Sequence, residues 1–237
     1  KDGRAYVPGD GVVFGLDAHN GTILWRSEIP GARRLGVFLD CGAMCVDDSR
    51  LFVVDPNNGC LALDVRTGKL ERTMPLPAKL AAATGRSRLS WGYVARSGDL
   101  LVGSACLPSA AYREVSREAD NQLWYDSMKI VTSRGLFAMD AACGSLKWTY
   151  VPDKAVILNT TIALGGGRAY FVESRSGEAV ADELGRVVTR QFQTGKCFLV
   201  ALDLATGREI WRHEAPMADC NLIAYVNYAD ETVILSG

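Results

Sequence analysis

Along most of the chain, apolar and polar positions alternate with the period of two that marks strands pleated between a core and a second face. Around the first tryptophan, Ile23 and Trp25 face one way while Thr22, Leu24 and Arg26 face the other. The strand-like runs are short and broken by tight polar turns such as Asp48-Ser-Arg50, Pro56-Asn-Asn-Gly59, Ser97-Gly-Asp99 and Gly165-Gly-Gly167. Four runs share a longer pattern: a strand ending in Leu-Asp or Met-Asp, three residues, a glycine, and a second strand. The copies are Asp17, Gly21 and Trp25; Asp64 and Gly68; Asp140, Gly144 and Trp148; and Asp203, Gly207 and Trp211. In the second copy Arg72 stands where the others have tryptophan. This is the signature of a hairpin whose connection returns through a glycine at positive φ, with the aspartate bonding nearby amides. A tryptophan held on the outer strand buries a large flat surface between neighbouring units.

The motif aspartates are 47, 76 and 63 residues apart. A blade of four antiparallel strands takes about 40 to 50 residues, so the first interval is one blade and the others carry insertions. The expected fold is all-β, a β-propeller of four-stranded antiparallel blades, the chain being one partial domain over residues 1–237 of a seven- or eight-bladed ring. Its blade parts are 1–30, 40–76, 89–151, 157–215 and 220–237. A closed four-bladed ring is the alternative. Two insertions, at about 106–134 and 175–196, join strand B to strand C of their blades. The first is expected to be partly helical, the second a mobile or hairpin extension.

Composition fits a soluble globular chain: 48% of the 237 residues are hydrophobic, 22% are charged and the net charge is -1. That balance points to neither nucleic acid nor an anionic membrane surface. No apolar run approaches the ~18 residues a membrane span needs. The seven cysteines are scattered without adjacent pairs or metal-ligand spacing and read as small buried apolar residues. His19 and His213 are the only histidines and fall in separate hairpins, which argues against a histidine metal site or a Ser-His-Asp triad.

The stretch Leu202-Asp203-Leu-Ala-Thr206-Gly207-Arg-Glu-Ile-Trp211 resembles the pyrroloquinoline-quinone (PQQ) type repeat of quinoprotein-alcohol-dehydrogenase-like propellers. Leu63-Asp64-Val-Arg-Thr67-Gly68 repeats it without the tryptophan, and the copies at Asp17 and Asp140 lack the threonine. The resemblance implies either a PQQ- and calcium-dependent dehydrogenase or a non-catalytic member like the propeller lipoprotein of the outer-membrane barrel-assembly machinery. Such dehydrogenases carry adjacent cysteines against the quinone, and this sequence has none. The favoured expectation is therefore a binding or scaffolding propeller without a cofactor, PQQ with calcium being the alternative. The resemblance also implies a periplasmic or cell-surface location.

The alternation of strand direction places the B–C and D–A connections on one face and the short A–B and C–D turns on the other. The elaborated face is where a protein or small polar ligand is expected to bind. Tyr112, Arg113, Trp124 and Tyr125 in the first insertion form a candidate contact surface, mixing aromatics with charge. Asp40, Ser90, Asn159 and Asn221 stand near the starts of inner strands and form a candidate ring of polar ligands around the central channel.

Overall fold

The computed structural model describes residues 1–33, 42–85, 88–111, 129–221 and 223–237. The first blade contributes β1 (Arg4–Pro8), β2 (Asp10–Asp17) and β3 (Ile23–Arg33), an antiparallel sheet in that order. The second is complete: β4 (Met44–Val46), β5 (Arg50–Asp55), β6 (Gly59–Asp64) and β7 (Leu70–Met74). Helix α1 (Ala78–Thr84) leads to the third blade, β8 (Ser90–Ser97), β9 (Leu100–Cys106), β10 (Ile130–Asp140) and β11 (Leu146–Tyr150), with α2 (Pro108–Ala111) opening its insertion. The fourth blade has an inner strand in two pieces, β12 (Val156–Leu158) and β13 (Ala163–Gly165), followed by β14 (Arg168–Ser174). Its insertion holds α3 (Gly177–Ala181), β15 (Arg186–Val187) and α4 (Thr189–Gln193), and β16 (Cys197–Asp203) and β17 (Glu209–Glu214) complete the blade. A last hairpin pairs β18 (Tyr225–Ala229) with β19 (Thr232–Ser236). The architecture is that of an all-β propeller with antiparallel blades.

The four repeat hairpins share one geometry because they share one chemistry. In each, the glycine N–H donates to the motif aspartate's carbonyl at 2.8 to 2.9 Å. The glycines Gly21, Gly68, Gly144 and Gly207 have φ between 68° and 76°, where a side chain is strained. The Asp64 and Asp203 carboxylates each accept from the N–H and hydroxyl of the threonine three positions on, Thr67 and Thr206 respectively. A register shift follows the same position in all four copies: Gly15, Ala62, Ala138 and Ala201 each precede it. Opposite these small residues stand Trp25, Arg72, Trp148 and Trp211.

The tryptophans join blades. Trp25 reaches from the first blade to the second, its Nε1 donating to Val65 O at 3.0 Å while its ring covers Gly68. Trp148 repeats the contact from the third blade to the fourth, onto Leu204 O at 2.8 Å and over Gly207. In both cases the acceptor is the residue after the motif aspartate. Apolar clusters fill each seam between blades: Val13 with Leu51 and Leu63, Phe52 and Met74 with Trp91 and Phe137, Leu136 and Ala138 with Phe171 and Leu202, and Tyr170 and Val172 with Val226. Burying flat sheet faces against each other in this way stabilises by roughly 25 cal/mol per Å² of apolar surface.

Three expectations need correction. The fourth inner strand is not continuous from Asn159, because Asn159–Thr161 forms a 3₁₀ turn between β12 and β13. Thr161 causes the break: its hydroxyl donates to Leu158 O at 2.7 Å and accepts the Val172 N–H at 2.8 Å, replacing a ladder bond. The strand after the first insertion begins at Ile130 rather than near Gly135, since β10 extends to pair with β12 and β15. The second insertion is neither a hairpin nor an extension free of the body: Ala179, Val187 and Phe192 are fully buried against the fourth blade.

Candidate functional site

Two hollows lie on the seam between the second and third blades, one on each face. The larger, about 630 Å³, opens on the face of the B–C connections. Its wall begins at the B–C turn of the second blade. There the buried Asp55 carboxylate accepts from the N–H groups of Asn57 and Asn58 and from the Asn58 side chain, which curls the chain and leaves Asn57 at the surface. Pro56 O accepts the Ser90 hydroxyl at 3.0 Å and ties this turn to the third blade.

The second wall is α1. An alanine-rich stretch after Pro77 favours helix, and Gly85 ends it in the left-handed conformation. Leu80 is fully buried and the Thr84 hydroxyl turns back to Leu80 O at 2.8 Å. Leu76, Ala78 and Ala81 therefore face the hollow as an apolar side, with Asn57, Arg88 and Ser109 as polar groups around it. A hollow of this size, lined more by polar than by apolar surface and with Leu76, Ala78 and Ala81 on one side, has room for a polar ligand or a side chain of a partner.

Beside the hollow the two insertions meet. Arg186 is buried and donates through Nε and Nη2 to Ala110 O at 3.0 and 2.7 Å. Arg134, equally buried, donates to Val180 O and Asp182 O at 2.7 and 3.0 Å. The Ser109 hydroxyl lies 3.1 Å from Leu184 O, and the Thr132 N–H donates to Gly185 O at 2.8 Å. Gly185 is needed there: its φ is 70°, and a Cβ would come within 2.9 Å of Ala110 Cβ. These charge-assisted bonds from rigid guanidinium groups to carbonyls fuse the insertions into one platform. Leu184 stands at its tip, 53% exposed.

The smaller hollow, about 310 Å³, lies on the opposite face among Asp47, Asp48, Arg50, Arg96, Asp99 and Asp140. Its charges are largely spent in pairs, Arg96 with Asp47 and Lys147 with Asp140. The Asp140 carboxyl is held down at about 2, chiefly by the Cys143 N–H and then by the Cys143 and Lys147 side chains.

The polar ring expected from the sequence is distributed as follows. Asp40 lies outside the described residues, as do Tyr112, Arg113, Trp124 and Tyr125 of the contact surface. Ser90 is buried with its hydroxyl on Pro56 O. Asn159 is buried between the third and fourth blades: Nδ2 donates to Gly92 O at 2.9 Å, and Oδ1 accepts from Ser133 at 2.6 Å with Ser104 at 3.3 Å. Asn221 is exposed. Ser90 and Asn159 thus serve as pins between blades. A calcium shell needs six to eight oxygens at about 2.3–2.6 Å, and of this ring the Ser90 hydroxyl and Asn159 Oδ1 are already engaged within the scaffold. Among the described residues no group of three His, Cys, Asp or Glu side chains is placed to hold a metal.

His213 lies beside Trp211 at 5.1 Å between rings on the fourth blade, while His19 sits in the first blade's turn with its N–H on Asp17. Burial pushes the Cys45 thiol up to about 12, far from a reactive thiolate. Gly165 and Gly166 make room for the Tyr228 ring in a turn between strands.

Sequence reasoning missed α1, although a proline, an alanine run and a glycine mark its bounds. It also missed Arg134, Arg186 and Glu173. The last is a fully buried carboxylate on β14 that accepts from Tyr150 Oη at 2.8 Å and pairs with Arg212. A lone acid directly after the apolar run Tyr170 to Val172 was its available signal.

Comparison with known proteins agrees with the fold. The chain is similar to the computationally designed Ika8 protein (TM-score 0.56, 11% identity, covering 99% of this chain and 52% of that one). It is also similar to quinohemoprotein alcohol dehydrogenase ADHIIG from Pseudomonas putida HK5 (TM-score 0.56, 14% identity, 98% and 36% covered) and to the WD40 domain of Neurospora crassa Pan2 (0.54, 12%, 96% and 52%). The chain therefore spans about half the length of the designed protein and of Pan2's domain, and about a third of the dehydrogenase. At these identities the likeness speaks to fold alone. No curated protein matches the sequence. A family model described as outer membrane protein assembly factor BamB matches residues 1–235, and on that match, with the repeats and the propeller fold, the chain belongs to this family.

Proposed function

We propose that this chain is a non-catalytic scaffolding propeller that binds a protein partner on the face carrying the B–C insertions. The observation that carries this reading is the platform beside the 630 Å³ hollow, where two insertions are locked together by buried arginines and lift Leu184 into solvent. An apolar side chain presented on a rigid support, next to a mainly polar hollow with Leu76, Ala78 and Ala81 on one side, is the arrangement of an interface anchor beside its polar rim. Family membership supports a protein partner and a periplasmic or cell-surface location. No helix among the described residues is long and apolar enough to cross a membrane. The polar groups at the inner strand ends support the same reading, because Ser90 and Asn159 hold blades together.

The test uses the full-length protein. Leu184→Asp and Ala81→Arg, which charge the tip and fill the hollow, are expected to abolish co-purification with outer-membrane assembly components while leaving the thermal midpoint unchanged. Calorimetric titration with PQQ and calcium, with dye-linked alcohol oxidation followed in parallel, is expected to give neither binding nor turnover. Saturable binding near one equivalent with alcohol oxidation would overturn the proposal in favour of a dehydrogenase.

A further inference from the structure

The seams between blades have apolar cores throughout, but their outer rims are closed differently. Between the first and second blades, and between the third and fourth, an indole N–H reaches the carbonyl after the motif aspartate and the ring covers the motif glycine. Between the second and third blades the corresponding carbonyl belongs to Ala141, and it accepts from Arg50 Nη1 at 3.3 Å. Arg72 occupies the tryptophan position and donates to Cys143 O at 3.4 Å. Gly144 carries no ring, since a Cβ there would meet only Met74 Cγ and Sδ, the nearer at 3.5 Å.

Both guanidinium contacts are long for hydrogen bonds, and Arg72 is exposed. Arg50 is further engaged by Glu71 at 3.0 Å in a pair whose side chains are 30% and 42% exposed. Contacts of charged groups at the surface weaken with salt, whereas a buried indole bond with its apolar ring does not. Two more observations fall on this same seam. Both hollows straddle it, and the buried Trp91 Nε1 in its core has no acceptor among the described residues.

The geometry points to the seam between the second and third blades as the compliant joint of this propeller, held at its rim by two arginines in place of a tryptophan and loosened by salt. The hollow at Ala81 and Ser90 lies across that joint, so its width follows the seam.

Amide hydrogen exchange on the full-length protein tests this. At low salt, peptides from β7 and the Asp140 to Gly144 turn are expected to exchange about fivefold faster than those from β3 with the Asp64 turn, or β11 with the Asp203 turn. That fold-change corresponds to one ordinary hydrogen bond. Raising the salt is expected to widen the gap at this seam alone. Arg72→Trp should bring the seam to the level of the others and remove its salt dependence, and Trp148→Arg should confer both properties on the seam between the third and fourth blades. Equal exchange at all three seams, or a salt response shared by all, would overturn the inference. If either variant fails to fold, the salt comparison in the unaltered protein still decides.

Discussion

Four glycines close the repeat hairpins at nearly the same φ, yet a methyl group added to each meets different surroundings. Gly21 has nothing within 4 Å of the added carbon and Gly144 has Met74 Cγ at 3.5 Å, whereas Gly207 has Trp148 Cδ2 at 2.6 Å. Alanine at Gly21 or Gly144 is therefore expected to cost only the left-handed backbone, about 1–2 kcal/mol. Gly207→Ala should lose a further ~1–3 kcal/mol because the indole must shift. Denaturant titration of the three variants measures the difference, and equal losses would show that the ring contact contributes nothing. The aspartates of the same turns carry a pH prediction. Asp140 is lowered from 3.8 to about 2 in the folded chain, and Asp64 and Asp203 move the same way, held down first by the hydroxyls of Thr67 and Thr206. Depressed carboxyls contribute stability that is fully present above 3.8 and is lost as pH falls toward the folded value. The denaturation midpoint should fall between about pH 4 and about pH 2, and Asp140→Asn should make that fall shallower; an unchanged slope would remove Asp140 from the account.

At the scale of elements, the second insertion shows why polar composition misleads. Residues 175–196 look like a solvated loop, but every second or third residue is an anchor. Ser176 caps α3 by accepting the Ala179 N–H, the Ser174 hydroxyl donates to Phe192 O, and Phe192, within α4, is fully buried. These short helices gain their stability from packing, since helices of five residues do not persist alone. Phe192→Ala is expected to cost about 3–5 kcal/mol, the amount for a large aromatic leaving a packed site, and to lower Leu184-dependent partner capture along with the thermal midpoint. A loss below about 1 kcal/mol would mean the insertion is not part of the core. Repeat strands were legible because each carries its own turn signal. The insertion was not, because its order comes from contacts with Ile130, Val156 and Ala215, residues far away in sequence.

At the scale of the whole molecule, the third and fourth blades are joined more closely than a propeller repeat requires. β12 pairs with β14 through Val156 and Ile157 and with β10 through Ile157 and Leu158, merging the two blades into one hydrogen-bonded sheet. The Tyr150, Glu173 and Arg212 network crosses the same seam, and burial raises the Tyr150 hydroxyl out of its ordinary range, aided by the Glu173 charge. The slowest-exchanging amides of β9, β10, β14 and β16 are therefore expected to share one opening free energy. Markedly faster exchange in β9 than in β16 would show that the shared strand does not couple the blades.

The amino-acid sequence by itself determined the blade, the hairpin geometry and the family, because aspartate, glycine and tryptophan at fixed offsets act within one hairpin and on its immediate neighbour. Only the tertiary structure decided which inner polar residues were spent as pins, how the two insertions joined through Arg134 and Arg186, and that Arg50 took over the carbonyl a tryptophan holds elsewhere. Those outcomes depend on which distant backbone carbonyls arrive beside a side chain, and local pattern carries no record of that.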